Sequence, residues 1–400
     1  MEQSTQRPAG IAPAEFESRR GRLLEHVRRR GLSGYVLFDE QYIRYFTGFG
    51  FLSTERPVVY VQSADGEMAV LVPEFEVERV RAETAFERIE PYPEYPGTEH
   101  PMLILARLAG ELGMRGSIGA DQDGYPGILG YQGPALSEVA AAAVSPLSAV
   151  IESMMVRKSP AEIELIRESA RWCEYAHRLL QEYSRPGATE AEASLRAGHE
   201  ATLAMLEALG EVGGQASSDG ASAGYRGQIG LRSSWAHAVA HNIEIRPGDV
   251  LVSETSAPIW GYNAELERAM VIGSPSDQVR RLFEHTVAAQ QAAFAAFHPG
   301  VTCAEVDGAV MRYLEQHDLT RYWRQHTGHA IGLRNHEAPF LDLGDHTPIE
   351  PGMVFTIEPG LYDSSVGGFR HSDTVAVSED GGIEILTDYP SDLESLTIPL

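Results

Sequence analysis

The sequence predicts an α+β fold in two domains, and three observations carry the prediction. Its 400 residues exceed what one hydrophobic core usually holds. Helical and strand patterns alternate through the first part of the chain, which suggests a small α/β domain. After it, helices with strong start signals are interspersed with apolar runs, as expected of antiparallel strands packed with helices.

Residues 1–15 read as a loose tail. The stretch AEFESRRGRLLEHVRRRG, from Ala14, places its leucines and valine at helical spacing. SGYVLFDE, from Ser33, reads as a buried strand, and RPVVYVQSADGEMAVLVP as a hairpin turning at Ala64-Asp65-Gly66. MLILARLAGELGMRGSIGAD, from Met102, gives a glycine-stopped helix and a further strand. These elements assign residues 16–151 to the first domain and 152–400 to the second. Ser159 as N-cap, Pro160 at the first helical position and Glu162 closing a capping box open a long helix, with Ile163, Ile166 and Ala170 on one face. Ser274 to Asp277, and Thr302 with Glu305, start two more. GDVLVSETSAPIWGY, ELERAMVIG, GMVFTIEPGLY and SDTVAVSEDGGIEIL are the β-rich runs between and after them.

Composition excludes several classes. Acids outnumber bases 57 to 32, for a net charge of -25, which argues against nucleic acid as a partner. Lys158 is the only lysine. No run approaches the roughly 18 apolar residues of a membrane span, and the N-terminus lacks the order of a secretory signal. Cys173 and Cys303 cannot make a disulfide framework, so a cytoplasmic location is expected.

Ionisable groups collect on or next to strands. SETSAPIWGYNAELERAMVIG carries Glu254, Glu265 and Glu267; SSWAHAVAHN carries His237 and His241; HTGHAIGLRNHEAP carries His326, His329 and His336. Glu358 ends the apolar run VFTIE, and Arg370, His371 and Asp373 lie in GFRHSDTV. A carboxylate in an apolar run is costly unless it is paired or binds a cation, so these segments mark a site.

In this order, the segments resemble the creatinase, prolidase and methionine aminopeptidase superfamily with the pita-bread fold. GHAIGLRNHEAP is similar to its Gly-His-Gly-Ile-Gly-Leu-x-x-His-Glu-x-Pro motif, and PGMVFTIEPGLY to its following glutamate strand. The resemblance implies a small N-terminal creatinase-like domain, a C-terminal pita-bread domain and a homodimer in which Glu40 to Phe51 reaches the partner's site. It also implies metal ligands at His329 and Glu358. The two metal-binding aspartates fall on Glu254 and Glu265, and the last bridging glutamate falls on Ser372. With that bridge missing, two tightly held ions are not expected. The cofactor is none or one divalent ion (Mn, Zn, Co or Fe) on Glu265, His329 and Glu358, with Glu254 secondary.

Creatinase is similar specifically at GYNAELER, where its catalytic glutamate matches Glu267 and its proton-shuttling histidine matches His237. Glu265 and Glu267 share a strand face, about 7 Å apart, and hinder each other's ionisation. The reading favoured by this likeness is hydrolysis of a C-N bond in a small zwitterionic or amidine-like compound, metal-independent or weakly metal-dependent. Its catalytic set is His237, Glu267 and His336; Glu254, Glu265, Tyr262 and Arg370 shape the pocket. The alternative is an Xaa-Pro dipeptidase or aminopeptidase with a remodelled metal site, and a second is a non-catalytic binding module. Structural uses compete with these roles: Glu267 can salt-bridge Arg268 or Arg370, and His241 suits a surface.

Overall fold

The computed structural model describes residues 10–140, 142–210 and 220–400. The chain divides into two compact units, one of Ile11–Met155 and one of Val156–Leu400 with Gly10. The helix Ser148–Met155 runs through the expected boundary at Ile151, and the units part at its end.

The first unit contains α1 (Pro13–Arg29), β1 (Gly34–Leu37), α2 (Glu40–Thr47), β2 (Val59–Ser63), β3 (Met68–Pro73), α3 (Val77–Glu83), β4 (Arg88–Tyr92), α4 (Pro101–Glu111), β5 (Gly116–Ala120), α5 (Leu136–Val139), β6 (Ala142–Pro146) and α6 (Ser148–Met155). Of the expected tail, residues 1–9 lie outside the described residues, and its last three belong to α1, because Pro13 presets the first helical turn. The strands form one mixed sheet in the order β4-β3-β2-β1-β5-β6, with the expected hairpin as β2 and β3. Val36, Phe38, Val59, Leu71, Leu105 and Ile118 share its core. Each such side chain contributes roughly 1.5–3 kcal/mol relative to exposure.

In the segment Glu40 to Phe51, the apolar side chains pack within their own unit. Tyr42, Ile43, Tyr45 and Phe46 are the buried face of α2. The Tyr45 hydroxyl donates to the Met154 carbonyl at 2.9 Å, and its ring lies under the Arg19 guanidinium at 4.2 Å. Phe51 is also buried, whereas Leu52 is 84% exposed.

The second unit contains α7 (Pro160–Tyr183), α8 (Glu190–Leu209), β7 (Ser222–Gly224), β8 (Val250–Val252), β9 (Glu254–Ser256), β10 (Glu265–Leu266), β11 (Ala269–Ile272), α9 (Asp277–Ala296), α10 (Cys303–Gln316), β12 (Gly328–Ala330), β13 (Glu337–Leu341), β14 (Val354–Ile357), β15 (Gly360–Asp363), β16 (Gly367–Arg370), β17 (Asp373–Val377), β18 (Ile383–Ile385) and β19 (Thr397–Ile398). The capping boxes form as expected at Ser159 with Glu162 and at Thr302 with Glu305. The buried face of α7 centres on Leu165, Ile166, Ala170 and Cys173, and Ile163 is only half-buried.

Strands β13-β12-β14-β17-β18 make a five-stranded antiparallel sheet; β10-β9-β7, β19-β11-β8 and β15-β16 are smaller groups. Gly328 is required where β12 lies against β14, because a Cβ there would sit 2.1 Å from the Thr356 carbonyl oxygen. The lone lysine is internal: Lys158 Nζ donates to Glu337 Oε2 at 2.8 Å, with both side chains buried. Among the described residues no helix is long and apolar enough to cross a membrane.

Candidate active site

The hairpin of β9 and β10 supplies three of the acidic groups. Ile259 and Tyr262 exchange backbone hydrogen bonds of 2.9 Å around Trp260 and Gly261, both with positive φ, as a tight primed turn requires. Asn263 docks the hairpin onto the histidine-bearing segment, its amide nitrogen donating to the Gly332 and Leu333 carbonyls at 3.1 and 3.3 Å. The register pairs Glu265 with Ser256 and Leu266 with Thr255, and continuing it sets Glu254 across from Glu267.

Glu265, His329 and Glu358 come together, with one ligand atom from each lying within 4.8 Å of the others. His329 Nδ1 stands 3.0 Å from the Ala330 carbonyl oxygen, which only accepts, so this nitrogen carries the hydrogen. Nε2 lies 3.1 Å from Glu358 Oε1 without the alignment of a hydrogen bond, and it has no other hydrogen-bond partner. A backbone carbonyl on one imidazole nitrogen, with the other left facing carboxylates, is the arrangement that presents a histidine to a metal. The residues therefore fit one divalent ion.

Without an ion, the set is an ion pair. Burial pulls His329 down, but its closeness to Glu358 and the charges of Glu265 and Glu358 prevail, raising it to about 9. Burial pushes Glu358 up, and His329 and Arg370 outweigh it, so Glu358 stays below the usual carboxylate range. Glu265 is raised to about 7, first by burial and then by the Glu358 charge. Ser372, at the position of the missing bridge, donates its hydroxyl to Glu265 Oε1 at 2.8 Å. It brings no charge.

Glu267 is occupied otherwise than the creatinase likeness implies. Its two carboxylate oxygens are held by Nε and Nη2 of Arg370, and both side chains are almost wholly buried. Burial pushes its carboxyl well above the usual range, and Arg370 opposes the push. Of the competing uses, the salt bridge to Arg370 is the one observed. Arg370 Nε also lies 3.9 Å from Glu358 Oε2, and Nη1 donates to the Tyr362 hydroxyl at 3.3 Å.

His336 stacks on His329, ring centroids 3.8 Å apart, and is exposed on its other side. Burial against the cluster and the His329 charge lower its pKa, so it is neutral near pH 7. His237 is exposed; the neighbouring Ala236 carbonyl accepts from Arg370 Nη1 at 3.3 Å, and no hydrogen bond joins His237 to Glu267 among the described residues. Tyr262 is not brought into the cluster: the primed turn aims it at α7, where its hydroxyl donates to Glu162 Oε1 at 2.7 Å. Asp373 is taken up by Arg268, Gln290 and Thr387, and His371 packs edge-on against Phe283.

Arg226 is a site residue that sequence reasoning missed. Its guanidinium pairs with Glu254 and lies 3.8 Å from Glu267 Oε1.

Comparison with known proteins gives this geometry its family. Residues 164–379 match the model of metallopeptidase family M24, and residues 19–154 that of the creatinase/prolidase N-terminal domain. The chain belongs to metallopeptidase family M24. It is a hydrolase with an N-terminal creatinase/prolidase domain and a C-terminal pita-bread domain, as the resemblance implied. The Xaa-Pro dipeptidase of Pyrococcus furiosus is 37% identical over 152 residues, 38% of this chain and 44% of that one. The "Probable dipeptidase PepE" of Mycobacterium tuberculosis is 28% identical over 365 residues, 89% of this chain and 90% of its own. The structure of an Xaa-Pro dipeptidase from Bacillus anthracis superposes with a TM-score of 0.78 at 26% identity, covering 96% of this chain and all of that one. An M24 metallopeptidase implies a divalent metal, and the buried Glu265, His329 and Glu358 are suited to it.

Proposed function

We propose that this M24 hydrolase is a dipeptidase, with Xaa-Pro dipeptides as its substrate class, working with one divalent ion on Glu265, His329 and Glu358. The observation that carries the reading is the His329 imidazole, fixed at Nδ1 by the Ala330 carbonyl with Nε2 beside Glu358. The dipeptidase names of the relatives support the peptidase alternative over the amidine reading. They equally favour a catalyst over a binding module.

A bound divalent ion would polarise the scissile carbonyl and lower the pKa of an attached water. The chain's own groups prepare the rest. Glu265 enters the set as a carboxylate ligand, and the Ser372 hydroxyl, donating to its Oε1, orients it. Glu358 supplies the second carboxylate of the set, with Arg370 Nε 3.9 Å from its Oε2. His336, neutral and open on one face, can hydrogen-bond a substrate, and His237 can act from the loop beside Arg370. Glu267 acts as a positioning residue that fixes Arg370.

The test is hydrolysis by protein stripped with chelator and reloaded separately with Mn, Co, Zn or Fe, on Xaa-Pro dipeptides, longer Xaa-Pro peptides and a panel of amidines. Metal-dependent cleavage of the dipeptides is expected. Amidine hydrolysis indifferent to chelator would reject the proposal and restore the creatinase-like reading.

A further inference from the structure

Arg226 reaches the cluster from a part of the chain that the family motifs do not include. It follows β7, whose Gly224 pairs with Glu254, and adopts a φ of 49°, uncommon for a residue with a side chain. The turn is clamped on both sides. The buried Tyr225 hydroxyl is bonded to Ser184, and the Gly227 amide donates to the buried Glu190. Gly227 itself has a φ of +78°, and a Cβ there would lie 2.1 Å from the Val239 carbonyl oxygen. From this fixed base the guanidinium contacts Glu254 and approaches Glu267.

Charge explains why a cation should be built in at this place. Four carboxylates meet in the cluster: Glu254, Glu265, Glu267 and Glu358. Arg370 and Arg226 neutralise two of them, and one divalent ion on the Glu265, His329 and Glu358 set neutralises the other two. A second divalent ion would leave two uncompensated positive charges next to the buried Glu265, Glu267 and Glu358, where the dielectric is lower than in water. The Ser372 hydroxyl supplies no charge to offset them.

We propose that Arg226 is a second cation built into the protein: its guanidinium holds Glu254 and Glu267 in place of a second metal ion and limits the cluster to one. The inference rests on the reading that Glu265, His329 and Glu358 bind an ion.

The experiment is a titration of the full chain, stripped with chelator, with Mn²⁺, followed by calorimetry and by elemental analysis after desalting. Wild type should take up one equivalent, and R226K, which keeps the charge, should also take up one. R226M should take up two, the second at least about tenfold more tightly than any second equivalent in wild type. Adding E254Q to R226M should return the count to one. The Arg226 side chain is 42% exposed, so its replacement leaves the core intact, and thermal melts by circular dichroism check that each variant is folded. R226M gaining no equivalent over wild type, or wild type taking up two, overturns the proposal. Wild type taking up none and R226M one would sink the Glu265, His329 and Glu358 reading and leave the exclusion by Arg226 standing.

Discussion

Arg370 grips Glu267 with two guanidinium nitrogens, and both side chains are almost completely out of water. Removing one member of such a pair strands the other, at a cost of about 3–5 kcal/mol. Glu267→Gln should therefore lower unfolding free energy by roughly 3 kcal/mol, read from the urea midpoint. A variant as stable as wild type, yet without turnover, would instead assign Glu267 an acid-base role.

His329→Ala should abolish stoichiometric metal binding, weakening affinity by roughly 100-fold or more, since even outer-shell partners of a ligand cost 10–100-fold. Activity of the wild type should vanish on chelation and return on adding back the ion. Competition against a fluorescent chelator measures the first effect. Unchanged affinity in the variant would show that the ion binds elsewhere.

Stability should fall with acid partly through His177, which is fully buried, bonded to the Ser253 hydroxyl at 2.7 Å and lowered by burial to about 3. The folded state keeps this imidazole neutral, whereas the unfolded chain protonates it below about pH 6.5. Its contribution is present above that value and is lost as pH falls toward 3, at about 1.4 kcal/mol per pH unit. From pH 6.5 to 5 this one group should cost about 2 kcal/mol, and His177→Gln should flatten the slope by one proton. Urea melts across that range provide the check; an unchanged slope would mean that His177 is already charged in the folded state.

We expect a homodimer in solution by light scattering at micromolar concentration. Tyr45 and Phe51 are buried in their own unit, and Leu52, just beyond the Glu40 to Phe51 segment and 84% exposed, offers apolar surface to a second copy. Leu52→Glu should shift a dimer toward monomer. A wild-type monomer would remove the expectation altogether.

The legible part of the site was the part written in short motifs. His329 and Glu358 stand in runs whose residue types and order suffice to place them, and Glu265 follows from its hairpin. Which arginine pairs with Glu267 was not legible, because it depends on register between distant strands. Glu267 and Ser372 exchange backbone hydrogen bonds of 3.2 and 3.1 Å, which brings Arg370 alongside, while the adjacent Arg268 reaches Asp373 instead. Tyr262 went astray for a similar reason: its position at the end of a two-residue turn decides its direction. Arg226 gives no local signal at all, since only the pairing of β7 with β9 carries it to Glu254. In the fold, capping boxes and the Ala64-Asp65-Gly66 turn were readable because they are chemistry between near neighbours.

The burial of Lys158 against Glu337 makes the protein its own reporter of opening. A protease that cuts only after lysine has a single site in all 400 residues, and the folded chain hides it. Cleavage there would yield two pieces, residues 1–158 and 159–400, so the rate at which these bands appear counts openings of one locality. That locality joins the start of α7 to the strand following His336, so an ion or inhibitor that tightens the cluster should also slow the cut.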